Sequence, residues 1–159
     1  MERLIAQELC GHALIPIRST RKTEFIDITD RVAALVAASG VSLGFVNVQT
    51  LHTTTAMVIN EHEPLLLTDF EVTLDRTIPI DGAYRHDDAA LRVVNLTPHE
   101  RANGYAHCRA LLLGASACVN IVDGCLLLGR WQRLFFVELD GARERHVSTM
   151  VVGEGGTRR

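Results

Sequence analysis

Several protein classes are disfavoured by what the sequence lacks. The first residues do not lead into the long apolar segment of a secretory signal, and no hydrophobic run reaches membrane-spanning length. The net charge of -3 provides no general attraction for nucleic acid or for anionic membranes. We therefore expect a cytoplasmic protein with neither nucleic acid nor a membrane as its partner. Any anionic ligand must then be held by a local basic cluster.

The cysteines also follow no pattern of known chemistry. Cys10, Cys108, Cys118 and Cys125 are too scattered for a Cys-x-x-Cys metal site or a disulfide framework. All except Cys108 have apolar neighbours, which predicts small core side chains. Cys108 directly follows His107, so a thiolate ligand is an alternative there, although packing is the simpler interpretation.

The composition is that of an ordinary globular protein. The 159 residues are 47% hydrophobic and 22% charged, and they contain no low-complexity tract, internal repeat or linker. This length predicts one domain over residues 1–159 that buries a core without disulfide support. We expect the tail from Gly153 onward to fray.

Hydrophobic periodicity predicts a mixture of strands and three helices. Thr29 or Asp30 is a candidate cap for the first helix, and Gly40 is a candidate for its end. Pro64 opens the second helical pattern, which carries an apolar stripe.

A capping box predicts the start of the third helix. In the run from Thr97 to Glu100, the threonine would be the cap, the proline the first helical residue and the glutamate its reciprocal partner. This helix would place Asn103 and His107 on one face, one turn apart. Gly104 costs about 1 kcal/mol of helix propensity relative to alanine, so it is either tolerated or lets another group approach the backbone.

The last third of the chain has mostly strand patterns. Asp-Gly pairs at positions 123–124 and 140–141 are typical of hairpin turns between β-rich runs. From position 131 to 138 the side chains are predicted to alternate between the two faces of a strand. Together these patterns predict a single α+β domain with a largely antiparallel sheet.

Three histidines in polar surroundings are the main candidates for chemistry. His52, His86 and His107 lie on separate segments, each among hydroxyl, amide or carboxylate residues. Neutral imidazole is a common ligand of zinc-like metals, so the three could converge on one ion. The alternative is three unrelated histidines on the surface or in hydrogen bonds.

Polar residues at both ends of the strand after His52 are further candidates. The hydroxyls of Thr53 and Thr54 suit hydrogen bonding to phosphate or carboxylate oxygens, although threonine is also a good strand former. Asn60 and Glu61 end the strand. Glu61 could be a general acid or base or a metal ligand, and the alternative is that it caps the next helix.

Two arginines could form a rigid anion clamp. Arg143 and Arg145 share one strand face, and Arg133 is expected nearby across the hairpin. Guanidinium groups bind phosphate in a bidentate manner. The competing interpretation is that these arginines pair with Glu138 and Asp140 across the strands.

The order of these motifs resembles the YjbQ-like family, also called the secondary thiamine-phosphate synthase family. The resemblance covers roughly residues 25–153 and rests on the following motifs: His52-Thr53-Thr54-x-Ala56, Asn60-Glu61, Tyr84-x-His86, Asn103-x-x-Ala106-His107, Leu113-Gly114-x-Ser116, Asp123-Gly124, Leu128-Gly129-x-Trp131-Gln132 and Glu138-x-Asp140-Gly141-x-Arg143-x-Arg145.

The resemblance implies a compact α+β fold that assembles as a homotrimer, with clefts near the subunit boundaries. It also implies a zinc-like divalent ion held by His52, His86 and His107. Side chains around that ion would bind a small phosphorylated or anionic molecule: Thr53, Thr54, Asn60, Glu61, Asn103, Ser116, Arg143 and Arg145. Members of the family are credited with a weak thiamine-phosphate synthase activity, which joins a pyrimidine diphosphate to a thiazole phosphate with loss of pyrophosphate.

The sequence departs from the family pattern at three positions. Arg130 replaces a small residue before the Trp-Gln pair, while Asn120 and Ala142 replace prolines near turns. The last two changes leave the candidate site residues intact. Arg130 adds positive charge near the pocket or lies on the surface.

Three functional hypotheses follow. In a transferase, Arg143 and Arg145 hold phosphate, His52 and the metal stabilise the leaving diphosphate, and Glu61 transfers protons. Diphosphate chemistry usually uses Mg²⁺. Three histidine ligands instead favour zinc with an open coordination position, which indicates the second hypothesis, a zinc-dependent hydrolase of small phosphate or carboxylic esters. The non-enzyme hypothesis is a protein that binds a metal or a small anion.

Overall fold

The computed structural model describes residues 8–97 and 100–155. The helices and strands follow in chain order: β1 (Glu8–Arg18), β2 (Glu24–Asp27), α1 (Thr29–Ser39), β3 (Val41–Thr50), β4 (Thr55–Glu61), α2 (Pro64–Thr77), a 3₁₀ turn (Arg85–Asp87), α3 (Gly104–Leu113), β5 (Ser116–Val122), β6 (Cys125–Leu126), β7 (Gln132–Glu138) and β8 (Glu144–Gly155). No helix in this part of the chain is both long and apolar enough to cross a membrane.

The strands form two antiparallel sheets, which confirms the predicted α+β class. The larger sheet has the order β1-β8-β3-β5-β6, and the smaller has the order β2-β7-β4. Every strand pairing is antiparallel. Pro16 lies inside β1. Because β1 is an edge strand, the missing N–H of this proline breaks no necessary ladder hydrogen bond.

The smaller sheet is the middle layer of the molecule. On one face, Leu134 and Phe136 of β7 pack with α1 and with the inner face of the larger sheet. On the other face, Phe135 and Val137 pack with residues of α2 and α3. The alternation predicted for β7 is therefore confirmed. Both of its faces are buried, since a second layer covers each of them.

The outer face of the larger sheet is exposed in the single chain. It carries large apolar side chains from four strands: Leu14, Leu43, Phe45, Val122 and Met150. Cys10, Cys118 and Cys125 are also exposed. Our prediction that these cysteines are core residues was wrong, because their strand positions point away from the layer that packs against the inner face of this sheet.

Two helix boundaries match the sequence signals closely. Gly40 follows α1 in a left-handed conformation, with φ of 74°, which only glycine adopts at no steric cost. The α1 start is stabilised by Asp27, whose Oδ1 accepts the backbone N–H of Thr29 at 2.9 Å. Pro64 is the first residue of α2, as expected.

The third helix starts later than predicted. It begins at Gly104, after Asn103, and not in the run that follows Thr97. Glu100 does accept the backbone N–H of Thr97 at 3.3 Å, but its other carboxylate oxygen pairs with Arg92 at 3.0 Å. The contacts of Thr97 and Glu100 therefore stabilise a loop and do not start a helix. Positions 98 and 99 of that box lie outside the described residues.

Two predictions for the C-terminal part also need correction. The Asp-Gly pair at 140–141 does not form a hairpin, because β7 and β8 belong to different sheets. The backbone N–H of Gly141 instead donates to the carbonyl of Lys22 at 3.1 Å, where the chain crosses between sheets. The expected fraying at Gly153 is not observed: Gly153 pairs with both Leu9 and Gly44, and β8 continues to Gly155.

Candidate functional site

Two of the three candidate histidines meet beside the start of α3. The ring centroids of His86 and His107 are 4.6 Å apart, with planes inclined at 60°. Asp87 holds this arrangement, because its Oδ1 accepts the backbone N–H groups of Asn103 and Gly104, each at 2.9 Å. A carboxylate in this place is also favoured by the helix dipole. The 3₁₀ turn is thereby attached to α3, and His86 with it.

Gly104 is required for this attachment. A β-carbon at this position would lie 2.5 Å from the β-carbon of Tyr84, one residue before the 3₁₀ turn. Tyr84 itself is held by a hydrogen bond from its hydroxyl to the carbonyl of Pro79 at 2.7 Å. We had considered that Gly104 is either tolerated in the helix or lets another group approach the backbone. The structure shows the close approach, and the group is Tyr84.

The surroundings of His107 favour its uncharged form. Burial lowers the pKa of His107 below its ordinary value of 6.5, and His86 and Arg92 lower this pKa further, while Asp140 and Glu100 act in the opposite direction. The Nε2 atom of His86 is buried and has no hydrogen-bond partner among the described residues. A neutral imidazole next to an unpaired ring nitrogen can exchange a proton or contact a bound group.

A buried carboxylate that we assigned to a turn adjoins this pair. Asp140 is 1% exposed, and its Oδ2 accepts a hydrogen bond from Asn103 Nδ2 at 3.1 Å and forms a salt bridge with Arg143 at 2.8 Å. The carbonyl of Asn103 in turn accepts the backbone N–H of His107 at 3.4 Å. The sequence signal was an aspartate directly after a buried strand, and the Asp-Gly turn pattern obscured it.

The second carboxylate oxygen of Asp140 has fewer contacts. Its Oδ1 lies 4.0 Å from the guanidinium of Arg101, and no hydrogen bond to this oxygen is present among the described residues. The Oδ1 of Asn103 is buried and also lacks a partner in this part of the chain. A buried acceptor without a partner is costly, so the unpaired Oδ1 of Asn103 is typical of a site that receives a ligand or a water molecule.

The predicted anion clamp is replaced by ion pairs. Arg145 is 5% exposed and binds Glu138 through two hydrogen bonds, at 2.8 and 2.7 Å. Burial alone would raise the pKa of Glu138, but the guanidinium of Arg145 and the backbone N–H of Asp140 hold this pKa below its ordinary value. Arg143 pairs with Asp140. The structure therefore shows that Arg143 and Arg145 pair with carboxylates, which was the alternative to the anion clamp.

Arg133 does not join these arginines. Its guanidinium donates to Asp27 at 2.7 Å and to Asp30 at 2.9 Å, at the end of β7 opposite to Asp140. Our expectation that it lies near Arg143 was wrong, because β7 and β8 form no hairpin.

His52 lies apart from the other two histidines, next to the buried Arg145. Its Nε2 accepts the backbone N–H of His146 at 3.0 Å, so this nitrogen is not free to bind another group. Burial lowers the pKa of His52, and the positive charge of Arg145 lowers it further. Both effects keep the ring neutral, with its proton on Nδ1.

These contacts do not fit a three-histidine metal centre within one chain. Across residues 8–97 and 100–155, no group of three or more histidine, cysteine, aspartate or glutamate side chains is arranged to hold a metal ion. Only His86 and His107 are neighbours, and His52 has already used its Nε2. Cys108 also forms no such group.

Asn60 and Glu61 lie at the far end of β4 from His52. The strand has seven residues, which correspond to about 20 Å. Asn60 Oδ1 accepts the backbone N–H of Glu61 at 2.9 Å. We had considered Glu61 as the cap of α2, but it does not have this role. The cap is Glu63, whose carboxylate accepts two backbone N–H groups of the first turn at 3.0 and 2.7 Å.

The remaining predicted residues are distributed over several environments. Thr54 is buried, and its hydroxyl accepts a hydrogen bond from Arg145 at 3.2 Å. Thr53 is exposed, and Ser116 is exposed at the start of β5. Arg130 lies on the surface, with its guanidinium 4.6 Å above the ring of exposed Trp131.

The two antiparallel sheets and the helical layer define an α+β protein of the class expected from the motifs. The chain belongs to the UPF0047 YjbQ-like family, whose model matches residues 13–154. A UPF0047 protein of Methanothermobacter thermautotrophicus is 40% identical over 140 residues, which cover 88% of this chain and 90% of that protein. The UPF0047 protein YugU of Bacillus subtilis is 31% identical, with coverages of 87% and 97%.

Solved structures show the same fold. A YbjQ-like protein of unknown function from Sulfolobus solfataricus P2 is 32% identical and superposes with a TM-score of 0.83, covering 93% of this chain and all of that one. A hypothetical protein from Aeropyrum pernix K1 is 30% identical, with a TM-score of 0.80 and coverages of 91% and 99%. The family resemblance inferred from the motifs is therefore confirmed.

Proposed function

We propose that this protein is an enzyme acting on a small phosphorylated molecule, with His107 as the group that accepts and returns a proton. The observation that carries this proposal is the His86–His107 pair, in which two imidazoles lie 4.6 Å apart and one ring nitrogen has no partner among the described residues. That nitrogen is the Nε2 of His86, which can contact a bound group beside His107, whereas His52 Nε2 already accepts a backbone N–H.

The charges near the pair suit general acid–base catalysis. His107 is neutral near pH 7 because burial and the neighbouring His86 disfavour its charged form, so it can accept a proton from a reactant. Asp140 favours the charged form of His107 and would stabilise the ring after proton transfer. Asn103 links the two, since it bonds to both Asp140 and the backbone of His107. In this proposal His107 takes the proton-transfer role that we first gave to Glu61.

An open cleft beside His86 is large enough for the substrate. It has a volume of about 590 Å³ and is lined by Arg85, Arg92, Leu91 and Val94 among others. Arg92 pairs with Glu100, but no carboxylate contacts Arg85 among the described residues. Arg85 is therefore the better candidate for holding phosphate than Arg143 or Arg145, whose charges are neutralised by carboxylates.

The reaction that the family resemblance implies is thiamine-phosphate synthesis with release of pyrophosphate. A zinc-like or Mg²⁺ ion would supply charge for the departing diphosphate, with substrate oxygens and water as its main ligands. The zinc hydrolase alternative requires the three-histidine set, and the contacts of His52 provide no support for it. We therefore retain the transferase.

Self-association as a homotrimer is part of the proposal. The exposed apolar face of the larger sheet supports it, because soluble monomers rarely expose contiguous apolar patches of several strands. Light scattering of the purified protein should give three times the chain mass of 17.5 kDa. A monomer at micromolar concentration would contradict this part of the proposal without affecting the assignment of His107.

The test of the function is pyrophosphate release from the two thiamine precursors, measured with the protein loaded with either Zn²⁺ or Mg²⁺. His107→Asn should reduce turnover about 100-fold or more, the usual contribution of a general acid or base. His62→Asn is the matched control, since His62 is exposed and its ring contacts Asp27. If the wild type releases no pyrophosphate with either metal, the synthase reaction is wrong. If His107→Asn retains full turnover, the assigned role of His107 is wrong.

A further inference from the structure

A small apolar slot lies between α2 and β4, away from the histidine pair. Its volume is about 160 Å³, and its apolar walls come from five side chains: Phe25, Val58, Phe70, Leu74 and Leu113. The rings of Phe25 and Phe70 are 5.6 Å apart and inclined at 45°, so they offer two aromatic surfaces to one ligand. Asn60 and Thr73 are the polar residues in the lining.

We propose that this slot binds a single flat, uncharged ring that carries a hydrogen-bond acceptor, such as a pyrimidine or a pyridine. The size argument is direct, because an apolar cavity of about 150 Å³ lined by leucine, isoleucine and phenylalanine accommodates one benzene molecule. An ionised ligand would lose its hydration without gaining a partner, since no charged side chain lines the slot.

Asn60 determines the polarity of the ligand. Its Oδ1 already accepts the backbone N–H of Glu61 at 2.9 Å, which leaves the two N–H groups of Nδ2 as donors. The matching group on the ligand is therefore an acceptor, either a ring nitrogen or a carbonyl oxygen. This is a role for Asn60 that does not depend on its distance from the histidines.

The slot is separate from the proposed reaction centre. Leu113 lies six positions after His107 on α3, which is about 9 Å along the helix axis. Ring binding therefore requires neither His107 nor turnover. Loss of the proposed enzymatic activity would leave the slot and its ligand unaffected.

The test is a titration of the ¹⁵N- and methyl-labelled full chain with pyrimidine and with benzene, followed by NMR. We expect both probes to shift the methyl signals of Val58 and Leu113, with affinities in the millimolar range because each ligand has about six heavy atoms. Only pyrimidine should shift the side-chain amide signals of Asn60. Absence of shifts in the wild type would overturn the proposal.

Two neighbouring substitutions on α2 provide a matched pair. Thr73→Phe fills the mouth of the slot and should weaken binding of both probes at least tenfold. Val72→Phe, the adjacent exposed position outside the lining, should leave binding unchanged. Asn60→Leu should weaken pyrimidine binding severalfold and leave benzene binding intact, and it tests the polarity argument even if Thr73→Phe does not fold. The proposal would be overturned if Thr73→Phe bound both probes as tightly as the wild type does. It would also be overturned if Asn60→Leu bound pyrimidine as tightly as the wild type does.

Discussion

The imidazoles of His86 and His107 lie 4.6 Å apart although 21 positions separate them in the chain. Their proximity results from Asp87, which bonds to two backbone N–H groups at the start of α3. A single carboxylate thus connects a helix start, a 3₁₀ turn and the candidate reaction centre, and substitutions around it should affect stability and site geometry together.

Replacing Asp87 with alanine should separate the histidines. The change removes both hydrogen bonds to α3, and loss of such a helix-terminal acceptor costs about 1 kcal/mol of stability. We expect a lower melting temperature and fewer nuclear Overhauser contacts between the two rings. Asp88→Ala is the control, since among the described residues the carboxylate of Asp88 bonds only to the nearby backbone N–H of Ala90. Unchanged ring contacts in Asp87→Ala would show that another group holds His86.

Replacing Gly104 with alanine should destabilise the protein despite the better helix propensity of alanine. The propensity gain is about 1 kcal/mol, whereas forcing a methyl group against Tyr84 costs about 1–3 kcal/mol. Gly11→Ala is the matched control, because a β-carbon at that position meets no atom within 4 Å. Urea denaturation of both variants gives the comparison. An increase in stability of Gly104→Ala would contradict the close approach described for Tyr84.

Replacing Arg145 with methionine should be among the most damaging changes in the chain. It leaves the carboxylate of Glu138 buried without its guanidinium, and breaking a buried pair in this way costs about 3–5 kcal/mol. Arg143→Met should cost less, because the side chain of Arg143 is 38% exposed. Calorimetric melting temperatures provide the test. Similar small effects in both variants would show that Glu138 finds another partner.

Stability should fall as the pH decreases from about 7 to about 5. The pKa values of His52 and His107 are lowered in the folded protein, mainly by burial, while both histidines titrate near 6.5 after unfolding. The unfolded chain therefore binds more protons in this range, so the stability present above pH 6.5 is lost as the pH falls through the folded pKa values.

This dependence can be isolated from the carboxylates. Asp27, whose pKa is lowered to about 2, and Glu138, whose pKa is also lowered, titrate below this pH range. Urea denaturation at several pH values should show a smaller slope for His107→Asn than for the wild type. A stability that is constant or increases from pH 7 to pH 5 would refute the prediction.

The fold could be predicted largely because its signals are local. Gly40 ends α1 through its left-handed backbone, Pro64 begins α2, and the alternation along β7 corresponds to two buried faces. Each signal depends on a few neighbouring residues and the intrinsic conformational preferences of the chain. The third helix was misplaced because Thr97 and Glu100 have capping-box chemistry but bond to each other without starting a helix.

The candidate site was only partly predictable. His86 and His107 were recognised as chemical groups, but their proximity depends on Asp87, and this contact joins residues that are not neighbours in sequence. Asp140 was missed because an Asp-Gly pair usually marks a hairpin, whereas here it lies where the chain passes between two sheets. Whether two strands pair with each other is a long-range property that no turn motif determines.

The sequence alone determined the family, the strand and helix types and the chemical inventory, because each follows from residue order and local preference. Only the tertiary structure decided which groups are free to act. It paired Arg145 with Glu138, attached His52 to the backbone of His146 and left His86 Nε2 without a partner among the described residues. Burial and long-range contacts determine which groups are free, since the availability of a charge or a lone pair depends on what packs against it.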